Sequence, residues 1–293
     1  MTGRTWTNTR NGLLFIAPWI VGFVVFNLYP FISSFYFSLT DYSVLSPGHF
    51  LGFQNYFDLL HDNLYGISLY NTLYITVLGI PLGTIVALSL ALLLNVKISG
   101  QSIYRTIFYL PAVVPAVAKA ALFLWILNPQ FGLLNQFLAV FGISGPGWMS
   151  STTWSKPSLI ILNVWGVGGA MVVYLASLQD VPVELHEAAE LDGAGTLKRT
   201  FSITLPLISP VIFFNLVVDL INSLQYFAQV YIMTDGGPAN STLVYALYLY
   251  NNAFRYFRMG YASAQAWILF IIVLIATLLL FRSARAWVFY AGQ

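Results

Sequence analysis

Ten acidic residues occur in the chain, and five of them, Asp180, Glu184, Glu187, Glu190 and Asp192, crowd into residues 179–206 together with His186, Lys198 and Arg199. Carboxylates beside a histidine raise the question of acid–base or metal chemistry. No nucleophile–base pair or metal-ligand cluster accompanies them, and the other two histidines, His49 and His61, lie in a distant connection, so catalysis has no footing there. The stretch reads instead as two short helices. Pro182 suits a first helical turn, Asp180, Glu184 and Glu187 favour the positive N-terminal end, and Gly193 or Gly195 can close the helix in a left-handed cap. Thr196 can then cap a second stretch leading to Pro206. Leu185, Ala188, Ala189 and Leu191 form a small apolar patch beside Glu184, Glu187 and Glu190. Helix physics alone leaves two readings open: a solvated helix on a membrane surface, or a helix seated against another protein.

A second group of polar residues stands out because its surroundings are apolar. Asn215, Asp219, Asn222, Ser223, Tyr226 and Gln229 interrupt a hydrophobic run, and Asp219, Ser223 and Tyr226 recur at i, i+4 and i+7 of a helix. Such groups are expensive in hydrocarbon. A carboxylate, a hydroxyl and a phenol ring on one face suit a sugar, whose hydroxyls need donors and acceptors while a ring covers its apolar side. The alternative is hydrogen bonding to neighbouring helices. Lys119 lies in another apolar run, and it and Asp219 each sit about 18 Å from the cytoplasmic end at 1.5 Å per residue. They can pair. If they do, Asp219→Asn impairs the protein and neutralising Lys119 partly restores it. An unpaired Lys119 facing a cavity favours an acidic saccharide.

The elements that must position these residues are membrane helices. Of the 293 residues 58% are hydrophobic and 8% charged, and the mean hydropathy is +0.77. Runs of roughly 20 apolar residues, enough to cross about 30 Å of hydrocarbon, occur six times. They fall at approximately 13–39, 69–94, 107–127, 157–178, 207–233 and 262–281. The runs are continuous rather than alternating, which excludes a β-barrel. The first is too long for the core of a cleaved signal peptide and is interrupted by Pro18 and Pro30. The expected fold is all-α, a polytopic membrane protein with one domain over residues 1–293.

Placing the N-terminus in the cytoplasm puts Arg4, Arg10, Lys97, Arg105, Lys198, Arg199, Arg282 and Arg285 on the inner side, and both termini with them. Lys156, Arg255 and Arg258 remain outside. An interfacial helix at about 243–259 would carry the last two, with Tyr245, Tyr248, Tyr250, Phe254, Tyr256 and Phe257 at the headgroup boundary. Cysteine is absent, which removes disulfides and thiolate chemistry. Twelve scattered Lys and Arg form no nucleic-acid-binding face, and no GxxxxGK[ST] phosphate loop occurs.

Glu187-Ala188-Ala189, Gly193, Ile203, Leu205 and Pro206 stand at the spacing EAA-x3-G-x9-I-x-LP. This resembles the EAA loop, the signature of permease subunits of bacterial ABC importers. The resemblance implies a type I ABC importer permease fold in the inner membrane. It also implies that Glu187, Ala188, Ala189, Asp192, Gly193, Ile203, Leu205 and Pro206 form a coupling element docked on an ATP-hydrolysing subunit. Further stretches are similar to the sugar-importing branch of maltose- and glycerol-3-phosphate-type permeases. They include Gly52-Phe53-Gln54-Asn55-Tyr56, Asn71-Thr72, Tyr109-Leu110-Pro111, Thr234-Asp235-Gly236-Gly237-Pro238 and Gly260-Tyr261-Ala262. In that branch the face bearing Asp219, Asn222, Ser223 and Tyr226, and the stretch Asn163, Trp165 and Gly166, correspond to residues lining the substrate pathway. The implied partners are a second permease, two ATPase subunits that hold ATP and Mg, and an external solute-binding protein; this chain itself carries no cofactor and is not an enzyme. The rival is an ion-gradient-driven secondary transporter, which has similar buried charges and no ATPase.

Overall fold

In the computed structural model the backbone is described for residues 2–96 and 99–290, and side chains from residue 9 onward within those limits. Lys97 and the side chain of Arg4, both assigned above to the inner side, lie outside the described residues. Among the described residues every regular element is helical, apart from isolated pairings of Thr40 with Phe50 and Ser43 with Ser46.

The first run is a continuous rod in which α1 (Thr2–Phe23) passes through a π turn at Val24–Leu28 into α2 (Tyr29–Ser38). After the short α3 (Gln54–Leu60), α4 (Asn63–Asn95) extends unbroken over 33 residues. The third run is not one helix. It divides into α5 (Gln101–Val113) and α6 (Ala116–Ile126), bent by 100°. Val114 is extended, with ψ at 125°, immediately before Pro115, whose ring disfavours helical geometry in the preceding residue. A short α7 (Leu133–Val140) follows, and the fourth run bends by 44° between α8 (Ser155–Trp165) and α9 (Gly168–Gln179).

Next come α10 (Val183–Leu191) and α11 (Thr196–Arg199), the latter joined by a π turn at Thr200–Thr204 to α12 (Leu205–Leu224). The fifth run therefore ends at Leu224, short of the expected 233, and a separate α13 (Ala228–Met233) follows the break. The chain closes with α14 (Tyr245–Tyr250), a π turn at Asn251–Arg255 and α15 (Met259–Ala284). Among the described residues four rods are long and apolar enough to cross a membrane, or six when each bent pair counts as one span. Large apolar side chains such as Phe15 and Phe26 are more than three-quarters exposed, a surface suited to lipid.

Of the three π turns among the described residues, two have a shared cause. Val24–Leu28 precedes Pro30, and Thr200–Thr204 precedes Pro206. A proline ring clashes with the carbonyl four residues back, which in each case lies inside the π turn. Widening that turn relieves the clash and keeps the rod continuous.

The chain divides into two compact units, Met1–Asp62 with Leu249–Leu269, and Asn63–Tyr248 with Phe270–Gln293. In the first, Trp267 packs against Phe31 and Phe35 at ring separations of 4.6 and 5.0 Å and donates its indole N–H to Ser34. The amide of Asn55 bridges the carbonyls freed at the end of α2, donating to Ser38 and Thr40 at 2.9 and 2.8 Å. Gly260 approaches the same place so closely that a Cβ would overlap the Thr40 carbonyl.

In the second unit a core of Ala87, Ala91 and Leu94 from α4, Met171, Tyr174, Leu175 and Leu178 from α9, and Ile208 from α12 holds three helices together. Alanines on α4 let α9 come close. Asn71 repeats the device seen at Asn55. Its amide donates to the carbonyls of Asn240 and Leu243 at 2.8 and 3.0 Å, and its Oδ1 accepts from Lys156 Nζ at 2.9 Å. Beside it, Thr72 Oγ1 accepts from the Tyr245 backbone N–H at 2.8 Å. Tyr245 and Tyr248 are consequently buried, Tyr245 edge-on to Tyr65, whereas Phe254, Tyr256 and Phe257 are exposed. Asn71→Leu leaves two carbonyls and an ammonium without their partner, and should destabilise the protein by about 3 kcal/mol, read as a lowered unfolding midpoint in detergent.

Candidate functional site

Three helix breaks meet at one cavity of about 360 Å³ in the second unit. Ala112 and Lys119 flank the α5–α6 break, Gly166 and Val167 form the α8–α9 hinge, and Tyr226 lies in the break after α12. Another wall is α4, contributing Ile75, Gly79, Ile80, Gly83 and Thr84. Gly79 and Gly83 repeat at i, i+4 within an apolar helix, the one local signal that could have marked this wall in the sequence.

Of the residues expected on the pathway, Asn163, Gly166, Asp219, Asn222, Ser223 and Tyr226 line this cavity, with Gln229 beyond them on α13. Trp165 does not. Its ring meets Phe123 edge-on at 5.3 Å. Tyr226 also differs from expectation: α12 ends at Leu224, so Tyr226 reaches the cavity from the turn past the helix end, not from the face shared by Asp219 and Ser223. Ser223 Oγ is 2.8 Å from Thr76 Oγ1, which ties α12 to α4 at the cavity edge. Asn215 is occupied elsewhere, donating to the carbonyl of Val211 one turn back.

Lys119 and Asp219 both face this space, from α6 and α12, yet they form no ion pair within 4 Å. The pairing considered from their depths is therefore not made. The helices bearing them are held apart by the cavity itself, so equal depth does not bring their side chains together.

The acidic loop has a different geometry. Pro182 is the N-terminal boundary residue of α10, not part of its first turn, and α10 ends where Gly193 takes a left-handed φ of +77°. The N–H of Ala194 then bonds the carbonyl of Ala189 at 2.9 Å, and the N–H of Gly193 bonds that of Glu190 at 3.0 Å. This pair of bonds is a Schellman cap. It explains the spacing between Ala189 and Gly193: the first supplies the carbonyl that the reversed chain closes on, and the second supplies the backbone conformation that a Cβ would strain. Gly195, rather than Thr196, precedes α11 as its boundary residue. Arg199 Nη1 reaches back to Glu190 Oε2 at 2.8 Å, fixing α11 to α10.

Downstream, Ile203 lies in the π turn, and Leu205 packs on the buried core at the root of α12, next to Pro206. Glu187, Ala188 and Asp192 are exposed on α10 and its end. So are several apolar side chains: Leu191 is 90% exposed and Leu197 76%, with Val183 and Leu185 also open. A rigidly capped helix thus presents apolar groups with acidic neighbours.

Comparison with known proteins agrees with this arrangement. Residues 79–288 match the family described as binding-protein-dependent transport system inner membrane component. The chain is 38% identical to the probable ABC transporter permease protein YesP of Bacillus subtilis over 96% of this chain and 93% of the relative. It is 36% identical to the lactose transport system permease protein LacF of Rhizobium radiobacter, over 94% of each. Its fold is that of a chain in the crystal structure of a bacterial alginate ABC transporter in complex with an alginate pentasaccharide-bound periplasmic protein. The TM-score is 0.85 at 26% identity, covering 96% of this chain and 97% of the other.

The cap makes a testable demand. Gly193→Val forces a β-branched residue into a left-handed conformation at a cost of about 1–2 kcal/mol, and should speed amide hydrogen exchange across 183–194. Gly193→Asn, which tolerates that conformation better, should speed it less.

Proposed function

The chain belongs to the family of binding-protein-dependent transport system inner membrane components, and on that premise we propose that it is a permease subunit of an ATP-driven importer of sugars or short oligosaccharides. The cavity forms part of the passage. The capped loop is the lever through which a separate ATPase subunit moves it. The observation that carries this reading is the exposed apolar set on α10 and α11, held rigid by the Gly193 cap and the Glu190–Arg199 ion pair. A solvated loop helix has no use for a nearly fully exposed Leu191, whereas a helix end that seats in a partner's groove does.

The mechanism follows from continuity. From Thr196 to Leu224 the chain is one rod, with its inner end at the loop and Asp219, Asn222 and Ser223 near its far end. Displacing the loop displaces the cavity wall, because a helix transmits an axial or rocking motion with little bending. Closure of nucleotide-bound ATPases would reorient the cavity outward, and hydrolysis would return it. ATP and Mg belong to those ATPases, and no residue of this chain acts on either. A related second permease completes the passage, and an external solute-binding protein delivers the cargo. The relatives named above include a lactose permease and an alginate transporter, which supports carbohydrate as the substrate class.

In this reading the loop 179–206 and both termini face the cytoplasm. Because the chain lacks cysteine, Thr196→Cys and Ser151→Cys each introduce a single thiol, and a membrane-impermeant maleimide on intact cells should label only the latter. For coupling, Leu191→Asp should reduce co-purification of the ATPase subunit at least about tenfold while leaving the unfolding midpoint unchanged; burying one unpaired carboxylate in a docking groove costs more than the roughly 1.4 kcal/mol that tenfold requires. Proteoliposomes holding only the two permeases that accumulate solute without ATPase subunits would overturn the reading in favour of ion-driven transport.

A further inference from the structure

The cavity contains a charge that the protein does not use. Lys119 stands on the first turn of α6, where its backbone N–H is bonded to Pro115 at 2.9 Å, and its side chain is half-buried. Among the described residues its ammonium has no carboxylate within 4 Å and no hydrogen-bond acceptor. Its aromatic neighbour, Trp165, lies 6.0 Å away at the ring centroid, the outer limit of a useful cation–π contact.

Lys156 shows what a satisfied lysine looks like in the same unit. Its Nζ donates to Asn71 Oδ1 at 2.9 Å and lies over Tyr70 and Tyr74 at 5.2 and 5.3 Å. Lys119 is arranged differently. A Cβ on residue 166 would stand 2.9 Å from its Nζ, so Gly166 leaves the ammonium open to the cavity. A membrane helix that carries an ammonium without a protein counter-charge has a ligand or water to satisfy it.

Resting on the transport reading above, we propose that the cargo is an anionic saccharide, a uronate, whose carboxylate is received by Lys119. Asn163 and Tyr226 line the same space and supply an amide and a phenol for the second carboxylate oxygen and the neighbouring ring hydroxyls. Asp219 enters from α12 and accepts sugar hydroxyls. One cationic and one anionic side chain in one cavity favour a sugar ring of single charge: the one carboxylate of a uronate ring is balanced by Lys119, whereas a phosphate dianion on the same ring would leave a net repulsion towards Asp219.

The test uses the assembled complex of both permeases and the ATPases in nanodiscs, without the external binding protein, so that only the cavity selects. The probes are digalacturonate and its neutral counterpart galactobiose, with binding measured by calorimetry at low salt. Digalacturonate should bind at least tenfold more tightly. Lys119→Met should bring the two within twofold, Lys119→Arg should keep most of the preference, and Asp219→Asn should tighten digalacturonate binding. If Lys119→Met fails to assemble, Gly166→Ala, which crowds the ammonium, should narrow the preference.

Equal or tighter binding of galactobiose, a preference that survives Lys119→Met, or no binding of digalacturonate at millimolar concentration each overturns the inference. Parallel ATP-driven uptake with the binding protein restored separates the two levels. Uptake of neutral saccharides alone sinks the anionic assignment and leaves the transporter standing, whereas no ATP-dependent uptake of any saccharide sinks both.

Discussion

In a chain whose solvent is largely hydrocarbon, a backbone carbonyl or a charge released from a helix needs a partner within the protein or a space that water or cargo can enter. That constraint organises the polar residues. Asn55 closes the two carbonyls left at the end of α2, and Asn71 closes two more in the segment before α14 while holding Lys156. Thr72 receives the first N–H of α14. Each is a polar side chain spent on irregular backbone, and each lies beside a tight turn or a close approach such as Gly260.

The same constraint explains why the cavity sits where it does. Helix breaks free polar groups, and they are tolerated where they line a space that water or cargo can enter. Breaks at Val114–Pro115, at Gly166–Val167 and after Leu224 all open on one void, walled on the far side by the small residues Gly79 and Gly83. Discontinuity is therefore concentrated at the site, while α4 and the rod ending at Leu224 stay continuous around it.

Rigidity is distributed by the same logic at the loop. Gly193 lets the chain reverse at a fixed angle, the Ala189 and Glu190 carbonyls lock that reversal, and the Arg199 guanidinium ties the two short helices. The π turn before Pro206 keeps α11 in line with α12, so the loop and the wall bearing Asp219 belong to one mechanical element.

The sequence by itself determined what depends on neighbours along the chain. Hydropathy located the apolar runs, the acidic cluster with Gly193 marked a short capped helix, and polar residues in the fifth run marked a face worth inspecting. Tertiary structure decided what depends on the rotation and spacing of helices. It turned Trp165 toward Phe123, carried Tyr226 past the end of α12, drew Tyr245 and Tyr248 into the interior and kept Lys119 apart from Asp219. A hydropathy run is indifferent to which way a helix faces, and a proline reports a local clash without saying whether the chain will absorb it as a π turn, as before Pro206, or break, as before Pro115. That choice is made by what packs against the helix, which no single segment contains.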